Sequence, residues 1–189
     1  MEKKELQKRS SDSQSIISQL EHIKVVALDV DGVLTDGLIH LDQKGREIKT
    51  FHALDGLGIV LAKSAGLKVV FISARESMAL ALRAHELGID ALYQNRPEKR
   101  AALEELLIEF GVRSEEVCYV GDDLIDIPIL KRVGFPVAVQ NAVKEVKDCC
   151  VYITQREGGK GAVREVIEKI MKSQGTWKKV IERYVQFSE

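Results

Sequence analysis

The chain has 189 residues, 45% of them apolar and 30% charged, which excludes a disordered or fibrous protein and fits one globular domain with short appendages. With 28 basic and 29 acidic residues its formal net charge is −1, so no general field draws it toward nucleic acid or an anionic membrane. Three cysteines, Cys118, Cys149 and Cys150, form no CxxC pair and read as small apolar side chains of a reducing, cytoplasmic compartment.

Residues 1–15 are polar and mixed in charge, carry no apolar stretch of a secretory signal, and read as a tail. Ile16, Leu20 and Ile23 recur at helical spacing and predict a short amphipathic helix over 15–23. From Lys24 the pattern changes to short, β-branched apolar runs at 24–30, 67–73, 89–94, 116–121, 135–140 and 149–154. These are strands apolar on both faces, as in a parallel sheet. Helical segments fall between and after them, near 55–65, 76–87, 98–110, 124–133, 141–147 and 162–172, with glycine stops expected at Gly66, Gly88, Gly111 and Gly134. The alternation predicts right-handed crossovers and a three-layer α/β domain, spanning 16–175. One insertion, about 36–53, interrupts it: GLIHLD and EIKTFH flank QKGR, a β-hairpin signal. The end, 176–189, predicts a docked helix with Trp177, Ile181 and Tyr184 or Val185 on one face. No run reaches the ~20 apolar residues of a membrane span.

In open α/β sheets ligands bind beyond the carboxyl ends of the strands, and here those ends are reactive. The first closes on Asp29-Val30-Asp31-Gly32, the second on Ser73-Ala74-Arg75; Lys99 follows the third, and the fourth closes on Gly121-Asp122-Asp123-Leu124-Ile125-Asp126. Carboxylates converging on one edge repel unless a cation sits among them, and oxygen donors suit Mg²⁺. Asp29 then serves as a nucleophile toward phosphorus and Asp31 as general acid and base, with Ser73 and Lys99 on the phosphoryl oxygens. Asp122 completes the metal shell; Asp123 and Asp126 either orient its waters or cap the following turn. Arg75 either grips a carboxylate or makes a structural ion pair. His52 is either a hairpin surface residue or lines a neighbour's cleft.

DVDGVLTDG, Ser73, Lys99 and GDDLID, in that order, resemble the four motifs of the haloacid dehalogenase superfamily, over about 24–172. Within it the hairpin insert, FHALDGLGI, GDDLIDIPIL and GGKGAVREVIE are similar to the small branch of 3-deoxy-D-manno-octulosonate 8-phosphate phosphatases. The resemblance implies a three-layer Rossmann-like fold with a mostly parallel sheet of five or six strands and no separate cap domain, metal ligands Asp29, Asp31, Asp122 and Asp126, and a Mg²⁺-dependent phosphatase. It implies a phosphorylated sugar-acid substrate used in lipopolysaccharide synthesis, and a homotetramer whose hairpins reach toward neighbouring sites. Thr35, Arg75, His52, Asp55 and Lys160 are the substrate contacts it implies. Leu54, Ala74, Lys160 and His52 depart from residues usual in the branch and bear on sugar recognition. A nine-carbon sialic-acid-type 9-phosphate is the alternative substrate, and a non-catalytic oligomerisation module the alternative from another class.

Overall fold

The computed structural model describes residues 18–186. The 1–15 tail lies outside the described residues, as does the start of the helix expected over 15–23, which is helical at 18–21. Eight strands follow: β1 Val25–Leu28, β2 His40–Leu41, β3 Glu47–Ile48, β4 Lys68–Ile72, β5 Ala91–Tyr93, β6 Val117–Gly121, β7 Phe135–Ala138 and β8 Tyr152–Ile153. The helices are α1 Ala53–Ser64, α2 Met78–Leu87, α3 Lys99–Phe110, α4 Ile127–Leu130, α5 Lys144–Lys147, α6 Ala162–Ser173 and α7 Trp177–Gln186.

Six strands form one sheet in the order β5-β4-β1-β6-β7-β8, every pairing parallel. The apolar runs of β1, β4, β6 and β7 are buried because helices cover both faces: α1 packs against α2 and α6, and α3 against α4. The chain first winds from β1 to β4 and β5, then crosses to β6 and winds the other way. The order therefore reverses beside β1, opening the crevice where such sheets bind ligands. β2 and β3 form a separate antiparallel hairpin. Its turn is set by Asp42, whose Oδ1 accepts the N–H of Lys44 and of Arg46, both at 2.8 Å.

Gly88 and Gly111 end α2 and α3 in the left-handed conformation, as expected of glycine stops. Gly134 does not have that conformation. It is needed because a Cβ there would meet the Glu115 carbonyl oxygen at 2.0 Å, where the loop before β6 crosses it. The C-terminal helix docks through Trp177, Val180 and Ile181; of Tyr184 and Val185, the alternatives for the same face, Tyr184 is exposed and the Val185 side chain lies outside the described residues. Arg164 and Lys172 hold the Trp177 ring between cations at 5.1 and 5.2 Å.

Candidate active site

Asp29 directly follows β1, and its N–H still donates to the Val120 carbonyl of β6 at 3.0 Å, so the residue stays in the line of the strand. Leu28 stands opposite Phe71 on one side and Val120 on the other, which brings Asp29, Ser73 and Asp122 to the same sheet edge. After Asp31 the chain turns sharply at Gly32, φ 95°, and a Cβ there would sit 2.0 Å from Asp122 Oδ2. The glycine is what lets the β1 and β6 loops approach each other. The 158–161 loop supports the turn from outside: Gly159 N–H donates to the Val33 carbonyl at 2.9 Å.

Lys99, the first residue of α3, is 1% exposed and its ammonium bridges Asp29 Oδ1 at 2.5 Å and Asp126 Oδ1 at 2.6 Å. Tyr119, which sequence reasoning left among the strand residues, donates its hydroxyl to the same Asp126 oxygen at 2.7 Å. The other Asp126 oxygen accepts the N–H of Asp122 at 2.9 Å and of Asp123 at 3.2 Å. Asp123 caps the turn that follows, accepting from Leu124 N–H at 2.7 Å.

Burial pushes the Asp29 carboxyl well up, and the nearby Asp126 adds to this against the downward pull of Lys99. Burial likewise lifts Asp122, to about 6, helped by Asp126. Burial works against the Lys99 ammonium, but Asp29 and Asp126 outweigh it and hold Lys99 above its ordinary value. The Tyr119 hydroxyl is pushed up by burial and by the adjacent Asp126, so it acts as a donor.

Oxygens of Asp29, Asp122 and Asp126 lie within 4.8 Å of one another. Three carboxylates against one ammonium leave an excess of negative charge, and Asp122 Oδ1 is buried with no hydrogen-bond partner among the described residues. An orphaned acceptor beside uncompensated carboxylates fits a hard divalent cation bound through Asp29 and Asp122. Asp126 belongs to the group by distance, but its four hydrogen bonds engage both oxygens. The Asp31 side chain falls outside the group and makes an ion pair with Lys49.

The expected substrate contacts divide. Thr35 is buried in the turn, where its hydroxyl oxygen accepts the N–H of Gly32 and Gly37, so it shapes the loop. Asp55, 1% exposed, accepts the N–H of Gly161 at 3.1 Å and of Arg164 at 2.8 Å; with both oxygens taken, it ties α1 to the start of α6 instead of facing a ligand. His52 caps α1, its Nδ1 accepting from Leu54 N–H at 3.2 Å. Lys160 is exposed and paired with Glu157 at 2.6 Å. Arg75 pairs with Glu47 of the hairpin at 2.7 Å, while its Nη1 is buried without a hydrogen-bond partner among the described residues. The Ser73 hydroxyl is buried and closes its own loop, donating to the Arg75 carbonyl at 2.9 Å.

Residues 88–167 match the family model of haloacid dehalogenase-like hydrolases. Over 163 residues the chain is 41% identical to the 3-deoxy-D-manno-octulosonate 8-phosphate phosphatase of Escherichia coli strain K12, covering 86% of this chain and 87% of that one. The chain belongs to this phosphatase family. The family enzyme of Moraxella catarrhalis, solved in complex with magnesium, phosphate and KDO, matches with a TM-score of 0.87 at 38% identity over 89% of this chain and 97% of its own. The cobalt-bound family member from Haemophilus influenzae matches with a TM-score of 0.82 at 41% identity, covering 84% and 93%. The six-stranded parallel sheet with its appended hairpin is thus the haloacid dehalogenase fold that the four-motif resemblance implied.

Proposed function

We propose that this chain hydrolyses 3-deoxy-D-manno-octulosonate 8-phosphate to the free sugar acid and phosphate with Mg²⁺, through an aspartyl-phosphate on Asp29. The observation that carries this reading is the buried Asp29–Lys99–Asp126 assembly at the sheet's switch point, in a chain 41% identical to a phosphatase of that substrate. When bound between Asp29 and Asp122, Mg²⁺ supplies the positive charge that lets a phosphate dianion approach a carboxylate.

Asp29 Oδ attacks phosphorus; the bond from phosphorus to the sugar oxygen breaks, and that oxygen takes the Asp31 proton. Water then attacks the phosphoryl group while the Asp31 carboxylate removes its proton, and the Asp29–phosphorus bond breaks to restore both aspartates. Lys99 and the Ser73 hydroxyl donate to the phosphoryl oxygens, which requires Ser73 to leave its loop contact. Asp126 and Tyr119 hold Lys99 in place. Arg75, with its unpartnered Nη1, meets the carboxylate of the sugar acid, and Lys160 and His52 border it. Leu38, Ile39, Leu41 and Ile48 leave apolar side chains exposed on both faces of the hairpin, which supports a homotetramer with hairpins packed between subunits. Three free cysteines support a cytoplasmic setting, and no described helix is long and apolar enough to cross a membrane.

Phosphate release from the eight-carbon substrate tests the reading. Turnover is expected with Mg²⁺, lost on chelation, restored by added Mg²⁺, and at background in Asp29→Asn. Turnover that ignores the chelator, or no turnover with Mg²⁺ present, overturns it. Light scattering on the active fraction should give four subunits; an active monomer contradicts the assembly.

A further inference from the structure

The hairpin sends two charged side chains inward. Glu47 and Lys49 are two residues apart along an extended segment, so they share a face, and their side chains are 15% and 4% exposed while Ile48 between them is 54% exposed. An ammonium buried to that degree is costly unless paired, and Lys49 Nζ is paired with Asp31 Oδ1 and lies 3.4 Å from Glu47 Oε1. Glu47 is in turn held by Arg75 at 2.7 Å. A chain of alternating charge, Asp31–Lys49–Glu47–Arg75, therefore runs from the catalytic loop through the hairpin to the end of β4.

We propose that Lys49 is a positioning residue for Asp31, fixing one carboxyl oxygen so that the other faces the oxygen of the leaving alcohol. This rests on the phosphatase reading above and extends it to the insertion. Asp31 follows the end of β1, past the last sheet hydrogen bond of Asp29, and Gly32 beyond it turns the chain away. The backbone alone therefore does not fix the rotamer of Asp31; an anchored cation does. In the step served, the bond from Asp29 to phosphorus forms, the bond from phosphorus to the alkyl oxygen breaks, and the Asp31 proton passes to that oxygen.

Leaving groups that do and do not need a proton separate this role from others. We would compare kcat/KM, which reports events up to transfer onto Asp29, for wild type, Lys49→Met and Lys49→Arg with Mg²⁺ and three probes. These are 4-nitrophenyl phosphate, glycerol phosphate and the eight-carbon sugar-acid phosphate. In Lys49→Met the two alkyl phosphates should fall together, by about 10- to 100-fold. The aryl phosphate, whose leaving group departs without a proton, should hold within about threefold, and its rate reports that the variant folds. Lys49→Arg should restore part of the alkyl rate.

An equal fall for all three probes makes Lys49 merely structural and overturns the proposal. A fall for the sugar-acid phosphate alone makes it a substrate contact, and no fall makes it dispensable; both also overturn it. Failure of the wild type on every probe would instead refute the phosphatase reading.

Discussion

Two charged assemblies meet at this sheet edge, and they are built differently. The inner one, Asp29, Lys99, Asp126, Tyr119 and Asp122, hangs from β1, β6 and the start of α3, elements clamped by parallel pairing and a buried core. The outer one, Asp31, Lys49, Glu47 and Arg75, is held by a two-stranded hairpin that keeps apolar side chains exposed. On the proposed reading, the inner assembly acts on the phosphoryl group that every ester shares, whereas the hairpin aims the acid that only a poor leaving group needs. Changes in the inner assembly should therefore slow every phosphate ester, and changes in the outer one should discriminate among them.

Lys99→Met should have the largest effect of the substitutions that probe this contrast. Losing a donor to the phosphoryl oxygens costs about 100- to 1000-fold in kcat. Aryl and alkyl phosphates should suffer alike, unlike the selective loss expected of Lys49→Met, so steady-state kinetics on both esters decides the matter. A selective loss from Lys99→Met would erase the distinction between the two assemblies.

Tyr119→Phe should do less. It removes one of four donors to Asp126 and leaves the ion pair intact, so a cost near 1 kcal/mol corresponds to a fall of about fivefold in kcat with KM unchanged. A loss as deep as that of Lys99→Met would mean that the hydroxyl does more than hold Asp126.

Asp90→Asn should be the mildest for catalysis. Asp90 sits at the opposite end of the sheet, accepting from Lys63 at 2.8 Å, Lys68 at 3.0 Å and Val69 N–H at 2.9 Å. Burial pushes its carboxyl up, but Lys63, Val69 and Lys68 together outweigh this and hold it below its ordinary value. A carboxyl depressed by folding stabilises the fold above its unfolded pKa of about 3.9, and that contribution is lost as pH falls through the depressed value. The substitution should therefore cost about 1 kcal/mol at pH 7, less as acid is approached, with kcat unchanged. Denaturant melts at two pH values check the sign.

Much of the inner assembly was legible in the sequence, because strand ends in a parallel sheet converge, and the four-motif resemblance singled out Ser73 and Lys99 among residues of their type. Tyr119 was not, since an aromatic residue inside an apolar strand carries no mark of what its hydroxyl reaches. Lys49 was hidden for the opposite reason: a lysine in a polar hairpin reads as solvated, and only its alternation with Ile48 and Glu47 pointed inward. Asp55 was expected at the ligand only through the family resemblance; what its sequence position did not show is that it satisfies free N–H groups at the start of α6.

The most direct test of the account compares kcat/KM for 3-deoxy-D-manno-octulosonate 8-phosphate with that for a nine-carbon keto-acid 9-phosphate, at saturating Mg²⁺. The account predicts that the eight-carbon ester is favoured by about tenfold or more. A preference for the nine-carbon ester, or failure to hydrolyse either, would contradict it.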